Sequence, residues 1–119
     1  MFESLEVWKR SRRLATDISI ALAHSKSYAL KDQIQRSAIS IPSNIAEGSE
    51  RDSDSDFIRF LRYSKGSCAE LKTQLLIYDD VCQATGIESI PNIDSKIKEA
   101  GELTAMIQGF INKLSPDQV

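Results

Sequence analysis

The chain has 119 residues, 41% hydrophobic and 27% charged, with a formal net charge of −2. That length fits a single domain over residues 1–119 with an ordinary core, and the near-average composition excludes wholesale disorder. A balance so close to neutral excludes a global pull toward nucleic acid or acidic lipid.

The first predicted helix spans about Leu5 to Ala23. Val7, Ser11, Leu14, Ile18 and Ala21 recur four and three apart, with Trp8, Ala15 and Leu22 beside them, while Lys9, Arg10, Arg12 and Arg13 occupy the opposite side. His24 stands near its end, where a protonated imidazole favours the helix dipole, so capping explains it better than catalysis.

The second helix is expected from about Ser27 to Glu47 on the stripe Leu30, Ile34, Ala38, Ile41 and Ile45. Pro42 lies inside it, lacks the N–H that would bond the Ala38 carbonyl, and costs about 3 kcal/mol in a helix interior. Apolar residues continue at helical spacing beyond it, so the reading is one helix kinked at Pro42, with Ser37, Ser40 and Ser43 near enough to bond freed backbone groups. Gly48 is expected to end this helix in the left-handed conformation. Asn44 and Glu47 fall beside Ile41 and Ile45. With Arg36, Arg51 and Glu70 they form either a buried polar network that sets bundle register or a solvated surface set. The expectation carried forward is the inward network, in which Glu47→Ala strands a buried charge.

SERDSDSD, residues 49–56, reads as an exposed turn, with Ser53 or Asp54 as the next N-cap. The third helix is expected from about Ser55 to Ala84. Phe57, Leu61, Ser64, Cys68, Leu71, Leu75, Tyr78 and Cys82 alternate four and three apart, a coiled-coil-like seam. Gly66, in the small-residue stretch SKGSCAE, is expected to let another backbone approach closely. Gly86 ends the helix. Arg59, Arg62 and Lys65 form a basic row on it. The fourth helix runs from near Pro91 or Asn92 to near Leu114, on Ile93, Ile97, Ala100, Thr104, Ile107, Ile111 and Leu114, with Leu103, Met106 and Phe110 widening the stripe. Short connections make this an all-α, up-down-up-down antiparallel four-helix bundle.

Charge is uneven along the chain. Residues 1–75 hold 12 Lys/Arg against 10 Asp/Glu, and residues 76–119 hold 3 against 7. Any electropositive face therefore belongs to the first part. Cys68 and Cys82 would stand about 21 Å apart on one helix, too far for a disulfide and in keeping with a reducing cytoplasm. One His and no CxxC leave no metal site, and no cofactor or small-molecule substrate is suggested. The charged start MFESLEVWKR is unlike a signal peptide, and no apolar run approaches the roughly 18 residues of a membrane span. The expectation is a cytoplasmic protein. The adjacent carboxylates Asp79 and Asp80 diverge around a helix, no phosphate loop or HExxH occurs, and the chain reads as non-enzymatic.

The stretches VWKRSRRLA and YALKDQIQRSAISIPSNIAEGSERDSDSDFIRFLRYSKGSCAELKTQLLIY closely resemble the four-helix bundle protein family also called the 23S ribosomal RNA intervening-sequence proteins. The matching positions are Trp8, Gln33, Ile34, Arg36, Ser37, Ala38, Ser40, Ile41, Pro42, Asn44, Ile45, Ala46, Glu47, Gly48 and Arg51. A second block comprises Phe57, Arg59, Phe60, Leu61, Gly66, Ser67, Glu70 and Leu71. Gln35, Asp56 and the pair Tyr63–Ser64 depart from the pattern, and the loss of a basic residue at position 35 weakens a strongly basic surface. The resemblance implies a four-helix bundle assembling as a pentameric ring. It also implies a distant likeness to the accessory variability proteins of diversity-generating retroelements, which bind nucleic acid. The leading functional expectation is a homo-oligomer that holds RNA or DNA through phosphate contacts from Lys9, Arg10, Arg12, Arg13, Arg59 and Arg62. The alternative is a protein-interaction scaffold without nucleic-acid contact.

Overall fold

Apolar residues three and four apart build four α-helices in the computed structural model, which describes residues 1–116. A short 3-10 turn, Phe2–Ser4, precedes α1 (Glu6–Ala21), α2 (Tyr28–Ser49), α3 (Asp54–Thr85) and α4 (Ile93–Leu114). The boundaries have identifiable chemistry. Ser53 Oγ accepts the Asp56 N–H at 3.1 Å and caps α3, with Asp54 and Asp56 in its first turn. Gly86, at φ 72°, closes α3 in the left-handed region, its N–H bonding the Cys82 carbonyl.

The helix α2 runs unbroken through Pro42. The carbonyls around the proline gather side-chain donors. Ser40 Oγ donates to the Ser37 carbonyl at 2.9 Å, Asn44 Nδ2 to that of Ser40 at 2.8 Å, and Ser64 Oγ to that of Ile41 at 2.9 Å.

Two glycine expectations are corrected. Gly48 does not turn the chain; it is buried inside α2, which continues to Ser49. A Cβ there would stand 2.7 Å from Phe60 Cβ and 2.9 Å from Phe57 Cδ1, so glycine is required by the close approach of α3. Gly66, expected to admit a neighbouring backbone, is exposed, and a Cβ on it would meet nothing within 4 Å in the chain. The small residues of the SKGSCAE stretch divide instead by helix face, with Ser64, Ser67 and Cys68 inward and Gly66 and Ala69 outward.

The helices are antiparallel. The Ser40 and Ser67 hydroxyls meet at 2.5 Å, Ser64 bonds Ile41, and Gly48 abuts Phe57 and Phe60, so α2 and α3 run in opposite directions. Lys65 Nζ donates to Gln108 Oε1 at 2.7 Å and Phe57 meets Phe110 edge-on, which sets α3 against α4 in the same sense. Each of α1 and α3 packs on both α2 and α4, leaving α1 and α3 diagonal. The bundle measures 50 × 26 × 21 Å, its length that of α3.

Ile18, Leu22, Ile34, Ile41, Ile45, Leu61, Leu71, Leu75, Leu103, Ile107 and Ile111 are completely enclosed. At about 1.5–3 kcal/mol each, their burial outweighs any surface ion pair in the molecule. The stripes also leave residues over. Ile20, Tyr28, Ile39, Tyr63, Leu76, Ile77, Val81 and Ile87 are exposed. Among the described residues no helix is long and apolar enough to cross a membrane.

Candidate nucleic-acid interface

The core stripe of α1 turns Lys9, Arg12 and Arg13 outward, and all three are exposed. None of them forms an ion pair among the described residues. The Arg12 guanidinium lies over the Trp8 ring at 5.4 Å, which fixes the side chain while its N–H edge stays available. Lys9, Arg12 and Arg13 share a surface groove with Trp8 and Thr16, in which Glu3 and Asp17 are the acidic members.

Arg10 leaves this set. It points toward α4, where Nε donates to Glu99 Oε2 at 2.8 Å, Nη2 bonds Glu99 Oε1, and Nη2 also reaches Glu102 Oε2 at 2.7 Å. The pairing raises the Arg10 pKa, through the Glu99 hydrogen bond first, and the same bond lowers that of Glu99. Arg10 is thus a tie between α1 and α4, its charge met by two carboxylates. Its partners lie 89 and 92 residues away, so no local pattern reveals them.

The basic row on α3 is divided. Arg59 pairs with Asp56 at 3.4 Å and its guanidinium lies over the Phe60 ring at 4.9 Å. Its pKa is raised, first by the neighbouring Tyr63 hydroxyl and then by Asp56. Arg62 is exposed and forms no ion pair among the described residues, while Lys65 bonds Gln108. Because α1 and α3 are diagonal, the two rows face different sides of one chain and do not make a single patch.

The expected inward network does not assemble in the single chain. Arg36 pairs with Asp32 one turn away, both well exposed. Arg51 pairs with Glu47 at 3.0 Å, but the two side chains keep 41% and 57% of their exposure, and Arg51 also covers the Phe60 ring at 4.7 Å. Asn44 is half-buried and bonds the backbone of its own helix; Glu70 is exposed. Asn44 and Glu47 sit about one residue off the stripe, enough to carry a long polar side chain past the α2–α3 seam to solvent.

Other reactive groups are quiet. Burial pushes the Cys68 thiol up to about 11, and Cys82 is buried as well. Asp79 accepts from Gln83 on its own helix. His24 lies exposed in the α1–α2 turn. Among the described residues no three His, Cys, Asp or Glu side chains gather as metal ligands.

Comparison with known proteins gives these features a setting. The pattern described as 23S rRNA-intervening sequence protein matches residues 3–109. The chain belongs to that family. A crystal structure from Bacteroides thetaiotaomicron VPI-5482, described as a protein with unknown function from the S23 ribosomal protein family, superposes with a TM-score of 0.74. The two share 23% identity over 88% of this chain and 97% of the other, which establishes a common fold. No curated protein matches the chain significantly. For this family member the sequence signals missed were Ile20 and Ile39, apolar residues off their helix stripes, which the structure leaves in the open.

Proposed function

We propose that this member of the 23S rRNA-intervening sequence protein family is a non-enzymatic homo-oligomer that holds RNA or DNA by its phosphates along α1. The observation that carries the reading is the set Lys9, Arg12 and Arg13, three exposed cations that form no ion pair among the described residues. Arg62 and Lys72 are the exposed α3 cations that form no ion pair among the described residues; Arg10 and Arg59 have carboxylate partners within the chain. Along α1 the aromatic Trp8 carries Arg12 on its face, which favours phosphate contact over base reading there. Three cations on one chain bind weakly. A closed ring, five-fold as the resemblance implies, repeats the set around an axis. Exposed apolar residues on more than one face of the bundle support such self-association.

A second reading, an interaction scaffold for another protein, is favoured by those same apolar residues. Binding of a fluorescent RNA or DNA oligonucleotide separates the two. The first reading expects anisotropy to rise at about 50 mM salt and to fall as salt is added. No rise at about 50 mM, where screening is weakest, hands the function to the scaffold reading.

A further inference from the structure

Two apolar surfaces remain without a partner. One is a groove of about 560 Å³ between α1 and α2, with Ala15 and Pro42 in its floor and Ile20 and Ile39, 69% and 51% exposed, on its walls. Arg12 stands at one end of it. The other is a row on the outer side of α3, where Ile77 and Val81 lie one turn apart and are 45% and 37% exposed. Asp80, exposed and without an ion-pair partner among the described residues, stands beside that row.

We propose that the α3 row of one copy docks into the α1–α2 groove of the next, Ile77 and Val81 entering between Ile20 and Ile39 and Asp80 meeting Arg12, which leaves Lys9 and Arg13 as the α1 cations that face phosphate. The proposal rests on the homo-oligomer reading and names its contact. The two surfaces belong to different sides of the bundle, because α1 and α3 are diagonal, so they cannot meet within a chain. Charge selects the pairing. Neither surface against a copy of itself brings Arg12 to Asp80; only groove against row joins these opposite charges. Such a contact is heterologous; each copy offers one groove and one row, and repetition closes into a ring when the rotation permits.

Two exposed-site variants test this. Ile20→Glu/Ile39→Glu spoils the groove, and Ile77→Glu/Val81→Glu spoils the row. Each alone is expected to run as a monomer in size-exclusion chromatography with light scattering, with a wild-type circular dichroism spectrum. Mixed in equal amounts they should form a one-to-one dimer, since one intact groove then meets one intact row and propagation stops. A chain carrying both Arg12→Glu and Asp80→Lys should regain the assembly that Arg12→Glu alone loses. Variants that keep the wild-type mass, or a mixture that stays monomeric, overturn the pairing. A monomeric wild type overturns the homo-oligomer reading itself.

Discussion

Replacing Gly48 by alanine adds one methyl group at the tightest point of the α2–α3 seam. The new carbon would lie 2.7 Å from Phe60 Cβ, 2.9 Å from Phe57 Cδ1 and 3.3 Å from the Phe57 carbonyl oxygen. Ordinary carbon contacts are about 3.5–4.0 Å, so the helices must separate by close to 1 Å. Phe60 Cβ is attached directly to the backbone and cannot swing aside alone. Overpacking of this kind costs about 1–3 kcal/mol, and alanine recovers about 0.5–1 kcal/mol through its helix preference. The net expectation is a loss of up to about 2.5 kcal/mol. Gly101 and Gly109 on α4 supply the control, since a Cβ at either meets nothing within 4 Å. Gly101→Ala should therefore stabilise by about 0.5–1 kcal/mol. Urea unfolding followed by circular dichroism at one fixed protein concentration reads both. If Gly48→Ala is as stable as Gly101→Ala, close approach is not the reason for the glycine.

Arg10→Met should destabilise by about 1.5–3 kcal/mol, the range for hydrogen bonds to charged groups, since it leaves Glu99 half-buried between α4 and α1 without its partner. Because Arg10 lowers the Glu99 pKa below 4.5, that stability is present above about pH 4.5 and is lost as pH falls through the folded-state value. Thermal unfolding between pH 6 and 3 should therefore fall more steeply in the wild type than in Arg10→Met, and equal slopes would count against the tie. Glu47→Ala should change stability by less than about 0.5 kcal/mol, as for an exposed ion pair. A loss of several kcal/mol on the same urea assay would restore the buried network.

Sequence periodicity located much of this fold and little of the site. Spacings of four and three placed Ile34, Ile41, Ile45, Leu61, Leu71 and Leu75 inward, and all are enclosed. Turn chemistry located the ends, with Ser53 capping α3 and Gly86 closing it. The failures share a cause. Local conformational freedom points Gly48 to a helix end, yet its role is set by Phe57 and Phe60 across the seam. Arg10 looked like one of four equivalent cations, yet Glu99 and Glu102 on α4 bind it and not its neighbours. A helical repeat says which side of its own helix a residue occupies; which group stands opposite is decided by tertiary packing. The same limit hid the separation of the α1 and α3 basic rows, because the diagonal placement of two helices has no local signature.

The most direct measurement is a salt titration of oligonucleotide binding by fluorescence anisotropy, run on the wild type, on Lys9→Glu/Arg13→Glu and on Arg59→Glu. Phosphate contact predicts a linear log–log dependence with a slope of about −0.9 for each phosphate neutralised on duplex DNA, and about −0.7 on a single strand. The α1 variant should bind far more weakly, with a shallower slope and similar losses for every oligonucleotide, and Arg59→Glu should stay close to the wild type because Arg59 is already held by Asp56. Wild-type affinity that ignores salt, or an α1 variant that binds as well as the wild type, contradicts phosphate binding along α1.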